Sequence, residues 1–314
     1  MPSTTTLQLP PAVREYYERQ LLTTLYPELV HAQFAQKKSL PKKNGDTVIF
    51  RRYSKLDTAI IPLVEGITPP GAQLSITDIK AQVEQYGNFV MITDWVEAIV
   101  EDKTINQATK LLGQNMGQSI DEIVRDVLKS TSSVLLCSHG SNGGTPTEIV
   151  QADIDAASLT LIGNDAKMIT SVIKGTNQFS TTAIRPAFWG IMHSSLLDDL
   201  ENVDSFVDTA HYPGDNKSIL ATEWGSTKNV RWCYSTIGSV SAATPAVYDN
   251  FIIAQEAYAV VALGGETGEF FVEQLGSAGT GDPLHQRGSV GWKHPFVARI
   301  LNDNCIINLM ATHS

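Results

Sequence analysis

Residues 41–71, PKKNGDTVIFRRYSKLDTAIIPLVEGITPPG, and residues 81–93, AQVEQYGNFVMIT, decide how this chain folds. From Thr47 to Tyr53 the side chains alternate, with Val48 and Phe50 on one face and Arg51 and Tyr53 on the other. Ala81 to Thr93 is rich in β-branched and aromatic residues (Val83, Tyr86, Phe89, Val90, Ile92) and is expected to be the returning arm. Between the arms Pro62, Gly66, Pro69, Pro70 and Gly71 interrupt regular structure. The stretch reads as a long two-armed β-ribbon that has no hydrophobic core of its own. An isolated ribbon is marginal in water, so this one must lie on another surface. That requirement points to a subunit of a lattice.

Outward from the ribbon, Pro10-Pro11 precede a helical pattern over Ala12–Lys37, with Pro27 a kink or break point. On the other side a short acidic stretch (Asp94, Glu97, Glu101, Asp102) leads to the clearest helix, expected over Thr104–Thr131. Its apolar stripe is Ile105, Ala108, Leu111, Leu112, Met116, Ile120, Ile123 and Val127, opposite Asn106, Lys110, Gln114, Gln118, Asp121 and Arg125. His139–Gly144 is a flexible break. Helices are expected over Gln151–Gly163 and Pro186–Leu200, the second opened by proline in its first turn. Strands are expected near Met168–Ile173, Asn229–Thr236, Phe251–Leu263, Glu269–Gln274 and Phe296–Leu309, with glycine-rich turns at Gly276–Gly281 and around Gly288–Gly291. These elements make an α+β chain.

Several blocks of sequence resemble the major capsid proteins of tailed bacteriophages, in particular the coat proteins of N4-like phages. They are Ser39-Leu40-Pro41-Lys42, Gly45-Asp46-Thr47-Val48, Arg51-Arg52-Tyr53 and Glu65-Gly66-Ile67-Thr68-Pro69, followed by Gln85-Tyr86-Gly87 and Gly163-Asn164-Asp165-Ala166-Lys167. Ile184-Arg185-Pro186-Ala187-Phe188, Gly281-Asp282-Pro283-Leu284, Gln286-Arg287 and Ser289-Val290-Gly291-Trp292-Lys293 continue in collinear order. The resemblance implies the Hong Kong ninety-seven type capsid fold. It assigns residues 1–44 to an N-terminal arm and 45–95 to an extended loop. Residues 96–138 and 262–314 become a peripheral domain with the spine helix at 104–131, and 139–261 an axial domain. It further implies hexamers and pentamers in an icosahedral shell around double-stranded DNA, with a portal as partner and a decoration protein left open. The sequence shows no large inserted domain or long cleavable prodomain, which points to a separate scaffolding protein. No cofactor is implied.

Net charge is −10 and unevenly spread. Residues 1–80 hold ten Lys/Arg against seven Asp/Glu, and residues 81–314 thirteen against twenty-six. A basic arm lying on an acidic body fits that asymmetry, in the same or a neighbouring copy. Lys42, Lys43, Arg51, Arg52, Lys55, Glu65, Pro69, Asp94 and Glu97 are the candidate contact residues between subunits, with Asp94 and Glu97 as candidate partners for Arg51, Arg52 and Lys55. Strong nucleic-acid binding by the whole subunit is disfavoured by its sign of charge.

The sequence contains no phosphate loop, nucleophile elbow or Cys/His metal spacing. Cys137, Cys233 and Cys305 are expected to be buried free thiols. His139, His193 and His211 lie near serines without a spacing that fixes a triad, and His193 is expected on a helix face. The carboxylates Asp198, Asp199, Glu201, Asp204 and Asp208 leave two readings open, a solvated helix end or a weak cation site. No apolar run reaches about 18 residues, the length a spanning helix needs. The N-terminus lacks the basic and apolar regions of a signal peptide, so assembly in a host cytoplasm is expected. Three functional classes are in play: a phage coat subunit, an encapsulin-like nanocompartment shell and, distantly, an acidic metal-dependent hydrolase.

Overall fold

A computed structural model describes residues 29–56, 58, 62, 65–66, 71–95, 104–141, 143–169, 186–212, 220–264, 268–273, 283–284 and 286–313. In chain order its strands and helices are β1 (Gln36–Leu40), β2 (Thr47–Tyr53), β3 (Ile76–Gln82), β4 (Glu84–Thr93), α1 (Thr104–Lys129), β5 (Val134–Leu136), α2 (Gln151–Gly163), β6 (Phe188–His193), α3 (Leu197–Glu201), β7 (Phe206–Asp208), β8 (Glu223–Thr227), β9 (Val230–Ser235), β10 (Val247–Ile253), β11 (Tyr258–Leu263), β12 (Glu269–Glu273), β13 (Arg287–Ile300) and β14 (Ile306–Thr312).

These strands form three sheets. One has five strands in the order β1-β11-β13-β12, with β4 also on β13. A second has seven, β5-β14-β10-β6-β9-β8-β7, and the third is the β2-β3 ribbon. The ribbon exists, but its return arm, Ile76–Gln82, lies earlier than the β-branched and aromatic composition suggested. β2 pairs with β3, from Thr47↔Gln82 to Tyr53↔Ile76, whereas Glu84–Thr93 pairs with β13 over its whole length. The change of partner occurs at Val83, whose amide donates to Asp46 O at 2.8 Å. The ribbon's tip, including Pro69, and the acidic Glu97 lie outside the described residues, as does the pattern at 12–28. Of that N-terminal pattern, Gln36 and Lys37 belong to strand β1 rather than to a helix.

The spine helix α1 runs for 26 residues, about 39 Å at 1.5 Å per residue. Leu112, Val124 and Leu128 are buried along it. Asp121, read from sequence as part of the polar face, is buried as well, at 1% exposure. Helix α2 forms where expected and buries Ile154, Ala157 and Leu161. Asp153 opens it by accepting the amides of Ser138 (3.0 Å), Gly140 (2.6 Å) and Val150 (3.3 Å), which also fixes the preceding loop.

The expected helix at Pro186–Leu200 is instead a central strand, β6, followed by a short helical turn and α3. Phe188, Trp189, Ile191 and Met192 are all buried, because strands covered on both faces read as continuous apolar runs that periodicity cannot separate from helices. His193 consequently ends a strand, and its Nδ1 accepts the Ser195 amide. The expected strand Phe251–Leu263 is two strands, turned at Glu256 with φ +58°. Phe296–Leu309 likewise divides between β13 and β14. Gly288–Gly291 lies inside β13 rather than in a turn. Of Met168–Ile173, Ile169 forms a bridge to Ala187, and the residues from 170 onward lie outside the described part.

The main core lies between the sheets and α1, centred on Phe188, Trp189, Trp232, Phe251 and Tyr258. The segment Val30–Ala35 inserts into it. Asp121 accepts from Val30 N (3.3 Å), His31 Nδ1 (2.7 Å) and Ala32 N (3.0 Å), and the Tyr258 hydroxyl donates to His31 O. Phe34 stacks on Trp189 with centroids 5.1 Å apart. The chain is thereby anchored on the spine helix just before the ribbon begins.

Candidate assembly surfaces

The ribbon has two unlike faces. Val48, Phe50, Ile79 and Ala81 point inward and are buried or half-buried, while Ile49, Tyr53 and Ile76 stand exposed on the other face, with Leu56 and Leu74 exposed just beyond. Alternation predicts this split, since pairing puts Tyr53 opposite Ile76 on one face and Phe50 opposite Ile79 on the other. Polar side chains hold the inner face to the body. Arg52 donates to Asn302 Oδ1 at 2.7 Å and Lys55 pairs with Asp165 at 3.0 Å. Arg51 pairs across the ribbon with Asp78 at 3.0 Å, and Lys42 reaches Glu269 at 3.1 Å. All these ion pairs are exposed, and pairs of this kind contribute about 0–1 kcal/mol each.

The named sequence candidates therefore divide. Lys42, Arg51, Arg52 and Lys55 each have a partner in their own chain, and that partner is neither Asp94 nor Glu97. Lys43 and Glu65 are exposed, Lys43 with a φ of +74°. Asp94 caps the start of the next turn through the Trp95 amide at 2.8 Å, while its own amide donates to Gln286 O.

A second surface lies on the five-stranded sheet. Across β4, β13 and β12 one face presents Val290, Trp292 and Ile92 to Leu112 and Met116 of α1. On the opposite face Phe89 and Phe271 flank Gly291 in a single cross-strand row. Phe89 is 65% exposed, Met91 57% and Phe271 47%. The missing side chain at Gly291 leaves an open hollow of about 420 Å³, bordered by Ser289 and Lys293. A Cβ there would stand 3.0 Å from Phe89 Cβ. This apolar face was not recognised from sequence. Its signal was the non-alternating runs Phe89-Val90-Met91 and Phe270-Phe271-Val272, which put apolar groups on both sides of their strands.

The chemistry-bearing candidates are engaged elsewhere. Asp199 contacts His313 Nδ1 at 2.9 Å, Glu201 accepts the Trp224 indole N–H at 3.0 Å, and Asp208 accepts the Ala210 amide. Cys137, Cys233 and Cys305 are buried free thiols, and burial raises each thiol's pKa, that of Cys233 to about 12. Among the described residues no three His, Cys, Asp or Glu converge on one point, and no helix is long and apolar enough to cross a membrane.

The model of the phage capsid protein family matches residues 76–304, which is most of the chain. This chain belongs to the phage capsid protein family. Its fold matches that of solved capsid proteins over nearly full length. The capsid of Ralstonia phage GP4 superposes with a TM-score of 0.69 at 13% identity, covering 99% of both chains. The head of Helicobacter pylori bacteriophage KHP40 gives 0.69 at 11% identity, covering 100% of this chain and 98% of that one. Mycobacterium phage Che8 gives 0.62 at 12% identity, with coverages of 95% and 97%. No curated protein matches the sequence. The capsid protein thus has the Hong Kong ninety-seven type fold expected from its motif blocks, and it functions as a major capsid protein, a structural component of the virion. The two exposed apolar faces are surfaces of a subunit whose role is to associate with copies of itself.

Proposed function

We propose that this capsid protein forms hexamers and pentamers of an icosahedral shell around the double-stranded DNA of a tailed phage. One observation carries the reading: a single chain exposes two apolar faces that it cannot bring together. The ribbon is tied to its own body at Asn302 and Asp165, beyond the end of β13, whereas the Gly291 hollow lies nine residues back along that strand, about 30 Å away at 3.3 Å per residue. Two different surfaces that need covering make a head-to-tail contact, and such contacts repeat into rings when the rotation between copies closes.

In this arrangement the exposed ribbon face carrying Tyr53 and Ile76 crosses a neighbouring subunit. Lys42, Lys43, Arg51, Lys55 and Glu65 lie on the crossing side and Asp94 on the receiving side, while Arg52 stays on the inner face with Asn302. Pro69 and Glu97, candidates for the same contact, lie outside the described residues. The exposed ion pairs within one chain exchange readily for pairs between chains because each contributes so little. The five-stranded sheet with α1 serves as the peripheral domain. The seven-stranded sheet serves as the axial domain and takes β14 from the C-terminal segment. Scaffolding and portal proteins complete the head, which assembles in the host cytoplasm, and the motif blocks support a place beside the N4-like coats.

Negative-stain electron microscopy of the purified chain tests the reading, with Tyr53→Ser/Ile76→Ser as the comparison. The wild type is expected to form closed shells or rings. The double variant should stay dispersed with an unchanged circular dichroism spectrum. Dispersed wild-type monomers under all assembly conditions would overturn the proposal, and small shells loaded with protein would reassign it to a nanocompartment.

A further inference from the structure

Beneath the ribbon lies a groove of about 590 Å³, bounded by the ribbon, β1 and the loops at Asn164–Lys167, Gln255–Glu256 and Leu301–Asn302. Its floor is partly apolar (Phe50, Ile79, Leu301), and its walls carry Lys38, Arg51, Arg52 and Lys167 against Asp165 and Glu256. Existing contacts use these charges unequally. Arg51 is neutralised by Asp78 and Asp165 by Lys55. Arg52 spends one nitrogen on the neutral Asn302 and keeps the rest of its fork. Lys38 and Lys167 have no ion pair among the described residues. Three cations from three separate segments therefore face one uncompensated carboxylate, Glu256, in a molecule whose net charge is −10. Low-dielectric walls concentrate a local field of this kind.

We propose that this groove binds a diphosphate-class anion, which bridges Arg52 of the ribbon to Lys38 and Lys167 of the body. A diphosphate matches the arrangement because its oxygens can take a forked guanidinium and two point-charge ammonium groups together. The bound anion would staple the ribbon to its own subunit and remove the repulsion among the three cations. The platform under it is rigid. Gln255 N donates to Lys167 O at 2.9 Å, and Leu301 N and Asn302 N both donate to Ala257 O. Glu256 opposes the anion, and this gives the proposal a distinctive sign.

The test is isothermal titration of the full-length chain with inorganic pyrophosphate at about 50 mM salt, where surface electrostatics are weakly screened. Saturable binding near one anion per chain is expected. Arg52→Gln/Lys167→Gln should weaken it by about tenfold or more, as expected for loss of two charge-assisted contacts. Glu256→Gln should tighten it. Hydrogen exchange at 47–53 and 76–82 should slow with pyrophosphate in the wild type and stay unchanged in the double variant. An ADP arm separates sources: affinity equal to pyrophosphate means phosphate chemistry alone, and tighter binding adds Phe50 on the groove floor as a base platform. Absence of saturable binding, an unaffected double variant, or weaker binding in Glu256→Gln would each overturn the proposal. All three substituted positions are exposed, so folding is monitored simply by thermal melting.

Discussion

Asp121 shows how much can depend on one side chain. Its carboxylate serves three donors of the Val30–Ala32 segment inside the core. Asp121→Asn leaves one oxygen and turns an amide N–H₂ toward groups that also donate. We expect a loss of about 3 kcal/mol in urea unfolding, within the range for breaking a buried charged cluster. Two histidines titrate in opposite directions. The hydrogen bond that the His313 ring donates to Asp199 raises its pKa, and desolvation opposes it only in part. A raised folded value favours the protonated ring. Its stabilising contribution is therefore complete below the ordinary imidazole pKa and is lost as pH rises through the raised value. Burial lowers the pKa of His294, which is 3% exposed and stacks on Phe296. Its contribution is complete above the ordinary imidazole value and is lost as pH falls through that value toward the depressed one. Titration followed by nuclear magnetic resonance should place His313 above His294, and Asp199→Asn should bring His313 down. Sequence reading put Asp121 in solvent because charge is the usual mark of an exposed helix face. The donors that justify its burial come from residues about ninety positions earlier.

Elements are limited by how closely their backbones approach. In α1 a Cβ at Gly113 would meet only the Phe270 ring, at an ordinary 3.8 Å, so Gly113→Ala should stabilise by about 0.5–1 kcal/mol through helix propensity. In β6 a Cβ at Gly190 would lie 2.3 Å from the Trp232 ring. That ring is fully buried and held by its indole N–H donating to Thr227 Oγ1 at 2.7 Å, so it cannot swing away. Gly190→Ala should destabilise by about 2 kcal/mol or more, the usual range for overpacking. Thermal melting of the two variants should show shifts of opposite sign. The two glycines look alike in sequence. α1 was legible because its apolar spacing repeats over several turns, α2 because Asp153 marks its start ahead of Ile154, Ala157 and Leu161, and β2 because it alternates. β6 was misread because its residues are buried on both faces, leaving no period to measure. The glycines of β13 were read as a turn because their use, letting β4 and β12 flank a hollow, depends on strands distant in the chain.

At the scale of the whole molecule, the ribbon is held to the body by surface contacts among the described residues. It lies over an open groove and is held by exposed contacts that salt weakens. Raising salt from about 50 to 500 mM should speed hydrogen exchange over 47–53 and 76–82 while leaving α1 protected, since screening acts on exposed charges and hardly on a buried core. A second outcome concerns assembly. Gly291→Val fills the hollow beside Phe89 and should reduce shell yield more than it lowers the melting temperature. Equal losses of both would mean the hollow serves folding alone.

The sequence by itself determined the α+β class, the ribbon followed by a long spine helix, the buried thiols and, through its motif blocks, the capsid family. These follow from local periodicity, composition and order along the chain, which need no knowledge of distant contacts. Only the tertiary structure decided that β4 leaves the ribbon for β13, that β14 joins the seven-stranded sheet, and that Asp121 anchors the N-terminal segment. It alone also placed Phe89 and Phe271 beside one glycine to make an apolar face. The physical reason is the same in each case: partner, register and burial are settled by groups far apart in sequence, whose meeting no local pattern encodes.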